Sequence, residues 1–230
     1  MEIINNKDLW NHVVSLDIET DTRKTGILKN ERILAIGVAY FQKKLNKSNQ
    51  QSFSKHEKIV VFKPFMLEED SEASEIELLK RFDDWVKKVR PLVVLGYNNR
   101  LYDLPLLASK LTYHKINNNI DFWNIRNILV DSTHLDLISQ MSLFFKKLCR
   151  EPYKIRSLEY VINHEYFNSL DLLKTKEIIP DNYKSNKVEY LYNLWKTKDE
   201  KFETYLHGDV HDVLLIANKL FSKEIMKQLF

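Results

Sequence analysis

Four consecutive apolar residues, Leu92-Val93-Val94-Leu95, lie between Pro91 and Gly96. A run this short, with no polar alternation, suits a strand covered on both faces, and such strands belong to parallel sheets with helices on either side. Upstream lie three β-rich runs, Val13–Glu19, Arg32–Tyr40 and Lys58–Phe62. The last two are separated by a polar, lysine-rich stretch from Gln42 to Lys58 that reads as a hairpin loop, so the three runs predict an antiparallel meander. Ser74-Glu-Ile-Glu77 has the form of a capping box, and Ile76, Leu79, Phe82, Val86 and Val89 follow at helical spacing until Pro91 stops them.

Downstream, Gly96-Tyr-Asn-Asn99 reads as a turn and Asp103–Leu111 as a helix with Pro105 in its first turn. Val130–Leu137 reads as a strand or strand end. Ser157–Ile162, Asn186–Trp195 and Glu200–Leu229 read as helices, the last broken near Gly208. The expected fold class is α/β, with a mixed central sheet of three antiparallel strands followed by parallel strands, flanked by helices. A single domain over 1–230 is expected, with a helical insertion around 143–197. Trp85, Trp123 and Trp195 sit among apolar residues and are expected in the core.

Composition narrows the function classes. At 44% hydrophobic, with 4 Gly and 5 Pro in 230 residues, the chain is neither disordered nor low-complexity. Its one cysteine, Cys149, rules out an internal disulfide framework and a cysteine-rich zinc site. No apolar run approaches the roughly 18 residues needed to cross a bilayer, and Met1 to Asp8 lacks a basic region followed by an apolar stretch. The expectation is a cytoplasmic protein without a membrane partner. The net charge of +3, from 35 basic and 32 acidic residues, permits a polyanionic partner. It does not by itself argue for one; if the partner is a nucleic acid, a local grip on a strand end is expected rather than wrapping of a duplex.

The acidic residues carry the chemistry. Asp17 and Glu19 alternate with Leu16 and Ile18, so in a strand both carboxylates leave on one face. Two carboxylates on an apolar strand repel each other, and a hard divalent cation between them relieves that. The plainer alternative is a solvent-facing acidic strand end. Asp103 follows the apolar tetrad just past a turn, where open α/β sheets collect ligands, and a helix cap is its plainer role. Tyr205-Leu-His-Gly-Asp209-Val-His-Asp212 puts carboxylates and imidazoles on a helix whose other face is apolar; alone, these residues suit a solvated polar face.

Taken together, Leu16-Asp-Ile-Glu-Thr20, Gly96-Tyr-Asn-Asn-Arg-Leu-Tyr-Asp-Leu-Pro-Leu-Leu107 and Tyr205-Leu-His-Gly-Asp-Val210 resemble, in order, the three motifs of the DEDD 3′–5′ exonuclease superfamily, whose fold is RNase H-like. Asn98 and Tyr102-Asp-Leu-Pro105 are most similar to the exonuclease domain of family B DNA polymerases. His134-Leu-Asp-Leu137 and Ser157-Leu-Glu-Tyr-Val161 are also similar to it. The resemblance spans about Val13 to Leu220. No polymerase palm or fingers fit in the remainder, so a free-standing exonuclease is expected.

The resemblance implies roles. Asp17 would bridge two divalent ions, Mg²⁺ or Mn²⁺, Glu19 would bind the inner ion, Asp103 would hold the outer one and Asp209 would complete the inner site. Such a pair of ions clamps the entering and leaving oxygens of a phosphodiester. Two registers of the third motif compete: Tyr205 with Asp209, Tyr205 orienting the attacking water, or His207 with Asp212, His207 acting as its general base. Likeness to the polymerase-type domains favours the first. Thr20 and Leu28 lie where such enzymes hold the 3′ end. Tyr97, Asn98 and Asn99 would touch the terminal nucleotide or simply shape a turn. The implied partner is the 3′ end of a single-stranded nucleic acid, DNA in preference to RNA, cleaved to nucleoside 5′-monophosphates. An inactive binding module of the same fold is the non-enzymatic alternative.

Overall fold

The computed structural model describes residues 9–23, 31–43 and 58–222. Five strands form one sheet in the order β3-β2-β1-β4-β5, with β1 at Val13–Asp21, β2 at Arg32–Lys43, β3 at Lys58–Met66, β4 at Val93–Gly96 and β5 at Thr133–Asp136. The first three are antiparallel, and β1–β4 and β4–β5 are parallel. Three residues of the apolar tetrad, Val93, Val94 and Leu95, thus form the central parallel strand with Gly96 and are buried, whereas Leu92 precedes it and is exposed. The fold is α/β with a mixed sheet flanked by helices, as expected.

The helices are α1 (Glu72–Val89), α2 (Asp103–Asn118), α3 (Trp123–Asp131), α4 (Leu137–Lys147), α5 (Leu158–Asn163), α6 (Lys187–Lys196) and α7 (Glu200–Leu220). One buried cluster joins Leu16, Ile18 and Ile36 to Phe82 and Leu107. A second joins Val13, Ala39 and Val93 to Phe144, Val210 and Leu214. Apolar residues at alternate positions of β1 thus feed separate clusters, as strand periodicity requires.

A buried polar knot ties α1 and α2 to the sheet. The Glu75 carboxylate accepts the Ile33 N–H at 2.8 Å and pairs with Lys110 at 3.1 Å. Burial pushes the Glu75 carboxyl up, but His114, Lys110, the Ile33 amide and Arg32 outweigh it and hold it below the usual carboxylate range. Lys110 lies on α2, so the knot also fixes the helix whose first residue is Asp103.

Several sequence expectations need correction. The α1 cap is Ser71, whose side chain accepts the Ser74 N–H at 3.2 Å. Ser74 instead accepts the N–H groups of Glu68 and Glu69, at 3.1 Å each, which folds the preceding loop onto the helix. α3 replaces the first part of the strand expected from Val130; it has no side-chain cap, so its start carries no sequence signal. α7 runs unbroken through Gly208. Trp85 and Trp195 are buried, but Trp123 is 57% exposed, with the Arg126 guanidinium 4.4 Å from its ring centroid. No helix among the described residues is long and apolar enough to cross a membrane. Leu28 and most of the lysine-rich Gln42–Lys58 stretch lie outside the described residues.

Candidate active site

β1 extends beyond the C-terminal end of β4, where pairing stops at Ser15 opposite Leu95. Asp17 and Glu19 lie on this overhang. The free strand edge there is taken by Asp103, whose Oδ1 accepts the Ile18 N–H at 3.2 Å. Asp103 therefore bonds across to β1 rather than capping its own helix, whose N-cap is Tyr102.

α7 crosses the same face of the sheet. Gly37 pairs with Asp17, and a Cβ on it would stand 2.7 Å from Leu206 Cγ. The missing methyl lets α7 seat close to β2, with Tyr205 and Asp209 beside β1. Carboxylate oxygens of Asp17, Glu19 and Asp209 come within 4.8 Å of one another. Asp17 Oδ2 is buried with no hydrogen-bond partner among the described residues. An orphaned carboxylate oxygen among hard oxygen donors fits a divalent cation such as Mg²⁺ or Mn²⁺.

The electrostatics agree. Burial, then Asp209, Asp103 and Glu19, push the Asp17 carboxyl well above its ordinary value. Burial is also the main cause that raises Glu19, with Lys187 opposing. Asp103 is pushed up to about 7 by burial and by Glu19. Burial and mutual repulsion thus disfavour the charged forms of Asp17, Glu19 and Asp103 unless positive charge compensates them.

Two lysines supply some of that charge. Lys176 Nζ lies 2.5 Å from the Asp209 carboxylate and also donates to the Tyr205 hydroxyl. Lys187 Nζ lies 3.9 Å from Glu19 and 4.9 Å from the Tyr205 ring centroid. Burial lowers the Lys187 amine, but Glu19, Asp209, Asp17 and Asp103 raise it further, keeping it charged. Both lysines come from the stretch read as a helical insertion. Sequence reasoning missed them because a lysine in a lysine-rich chain carries no spacing signal of its own. The Tyr205 hydroxyl is raised by burial and by Asp209, which keeps it protonated.

The two third-motif registers occupy different places. Asp209 joins the carboxylate cluster. Asp212 is buried one turn further on and accepts the N–H groups of Leu173 and Lys174 at 2.8 and 3.0 Å. His207 stacks on Phe62, with ring centroids 4.3 Å apart, and burial lowers its basicity. Asp212 thus anchors the loop that carries Lys176. The same loop is pinned at Gly208, where a Cβ would stand 1.8 Å from Thr175 Oγ1. That close packing, not a helix break, accounts for the glycine.

A cavity of about 350 Å³ opens over the cluster, lined by Asp17, Glu19, Asp103, Asp209, Lys176 and Lys187 and also by Thr20, Tyr97, Asn98 and Tyr102. Thr20 Oγ1 and the Tyr102 hydroxyl are 2.7 Å apart, and Tyr102 also donates to Glu31. Asn98 takes a left-handed backbone, φ 69°, and its N–H donates to Asp136 at 2.7 Å. Asp136 also accepts the Arg100 N–H at 3.2 Å, so it shapes the turn from below. Asn99 is fully buried against Gly96, and it does not line the cavity.

Acidic residues on the central strand, at the start of α2 and on the last described helix define a DEDD-type exonuclease fold. The family model "DNA polymerase family B, exonuclease domain" matches residues 6–133. The chain belongs to that family. Among solved structures, it is similar to the family B DNA polymerase from the hyperthermophilic archaeon Pyrobaculum calidifontis, with 19% identity and a TM-score of 0.57. The match covers 90% of this chain and 24% of the polymerase chain, so this chain spans about a quarter of that protein. No curated protein matches.

Proposed function

We propose that the protein is a metal-dependent 3′–5′ exonuclease that hydrolyses the terminal phosphodiester of single-stranded DNA and releases nucleoside 5′-monophosphates. The observation that carries this reading is the convergence of Asp17, Glu19 and Asp209 within 4.8 Å, around a buried Asp17 oxygen that lacks a partner. Asp17, Glu19, Asp209 and Asp103 would hold two Mg²⁺ or Mn²⁺ ions, which supply neutralisation of the phosphate charge and activation of the attacking water.

The protein's own groups do the rest. The Tyr205 hydroxyl, held protonated, donates a hydrogen bond that orients the water. Lys176, already against Tyr205 and Asp209, offers its ammonium to the negative charge that builds on the phosphate. Lys187 screens the same face. Thr20 and Tyr102 form one wall for the terminal sugar, and Tyr97 and Asn98 form another for its base.

One observation favours a second reading, a nucleic-acid-binding module that does not cleave: the Lys176 ammonium pairs with the Asp209 carboxylate at 2.5 Å. Both readings meet one experiment. A 5′-labelled dT12 strand and its RNA counterpart are incubated with Mn²⁺, and Mn²⁺ binding is followed by thermal shift. The exonuclease reading expects a ladder shortened from the 3′ end, faster on DNA, and at least a roughly thousandfold loss in Asp17→Asn. Strand binding with neither cleavage nor Mn²⁺ stabilisation establishes the module instead.

A further inference from the structure

Residues 146–156, Lys-Lys-Leu-Cys-Arg-Glu-Pro-Tyr-Lys-Ile-Arg, hold five basic residues against one acidic, a larger surplus than the +3 of the whole chain. The structure sets this charge beside exposed apolar groups. Tyr153 and Ile155 are 62% and 67% exposed, and Lys154 between them is exposed as well. Lys146 Nζ lies 5.9 Å from the centroid of the Tyr153 ring. The single acid, Glu151, is turned inward to Arg156 at 2.6 Å, His164 at 3.2 Å and the Tyr160 hydroxyl. The outward charge of the segment is therefore basic.

The segment begins at the rim of the cavity. The Tyr97 hydroxyl donates to the Arg156 carbonyl at 2.5 Å, and Tyr97 and Leu158 both line the cavity wall. From Leu158 back to Tyr153 the chain reaches at most about 18 Å. At about 3.4 Å per stacked nucleotide, that is room for a few nucleotides beyond a terminal one. Basic residues interleaved with an exposed aromatic ring are the combination that tracks a single strand: the cations pair with phosphates and the ring stacks on whichever base is presented.

We propose that residues 153–156 form an upstream track for single-stranded nucleic acid, leading away from the cavity. Tyr153 stacks on a base a few nucleotides 5′ of the terminus, Ile155 packs beside it, and Lys154 pairs with the phosphate between. This rests on reading the cavity as the site of the 3′ end. The exposed pair Tyr153 and Ile155 would otherwise suit a protein partner, which the test separates.

The test is binding of 5′-labelled dT2, dT4, dT8 and dT12 to the full chain, followed by fluorescence anisotropy in EDTA so that no strand is consumed. Wild-type affinity should rise with length and then level off. In Tyr153→Ala/Lys154→Ala, binding of dT12 should weaken about tenfold to a hundredfold, and most of the gain with length should vanish. The slope of log affinity against log salt should shrink by about 0.7 for the lost lysine. Tyr153→Phe should keep the length series. Circular dichroism and thermal unfolding show that each variant is folded. An unchanged length series in the folded double variant overturns the track and leaves the apolar pair to a protein partner. A wild type that binds dT12 in a length-dependent way but cleaves nothing in Mn²⁺ removes the exonuclease reading and leaves the track standing.

Discussion

The cavity has two walls built by different means. The sheet wall carries the acids. Asp17 and Glu19 sit on a strand paired along its length with β2 and at its start with β4, and Asp103 is fixed to the backbone of that strand. The opposite wall carries the lysines: Lys187 opens α6, whereas Lys176 lies outside any α-helix. Lys176 stands on a short 3-10 turn at Thr175–Ile178, held by the Asp212 carboxylate and by the packing of Thr175 against Gly208. Regular structure presents the acids in a geometry set by the fold, whereas a few side-chain contacts hold Lys176 in place. The acid wall should therefore tolerate loss of a neighbour, and the lysine wall should not.

Within the lysine wall the largest expected effect falls on Lys176. Lys176→Ala should lower the rate of dT12 cleavage about a hundredfold, as removal of one preorganised charge does elsewhere, while Mn²⁺ binding by thermal shift becomes tighter because Asp209 loses its cation. Unchanged cleavage with tighter Mn²⁺ binding would make Lys176 a placeholder for charge only. Asp212→Asn should cost about tenfold in rate, because the loop N–H groups of Leu173 and Lys174 lose a charged acceptor. Its effect should largely disappear in the Lys176→Ala background; additive losses in the double variant would place Asp212 outside the control of Lys176.

Gly208→Ala tests the same wall by sterics. The added methyl meets Thr175, so stability should fall by about 1–3 kcal/mol in urea unfolding, and Thr175→Ala in the same chain should recover part of it. No loss would mean the loop has room to shift.

The smallest effect is a pH signature of the acid wall. The folded-state carboxyls of Asp17, Glu19 and Asp103 are raised above their unfolded values, Asp103 to about 7. A raised carboxyl binds more protons folded than unfolded between the two values, so without metal the protein should lose stability as pH rises from about 4 through about 7. Asp103→Asn should flatten that decline, and Mn²⁺ should stabilise more at pH 8 than at pH 6, since protons compete for the same oxygens. A thermal midpoint that is flat over this range, measured in EDTA, would mean that the acids are solvated rather than crowded.

The two walls also differ in how far they could be read from the chain. Leu92–Leu95 announced a covered parallel strand, and the alternation around Asp17 and Glu19 put both acids on one face. Those signals are local, and the sheet honours them. The remaining features depend on partners distant in sequence. Ser71 rather than Ser74 caps α1 because Ser74 is occupied by the preceding loop. Gly208 reads as a break, but Thr175, 33 residues earlier, fills the space above it. Asp209 and Asp212 lie one helical turn apart with the same chemistry, and only the position of the 173–176 loop separates them. Asn99 offers the same functional groups as Asn98, yet it faces the interior.

Position 37 joins packing to chemistry in a way that bears on how such a chain tolerates change. Leu206 rests where any side chain at that position would have to go. An alanine there would lift the helix that holds Asp209 away from the strand that holds Asp17. The cluster would then loosen by the same displacement that opens the core. Damage to folding and damage to the acid constellation would arrive together, and a substitution elsewhere could repair both only by bringing the helix back down.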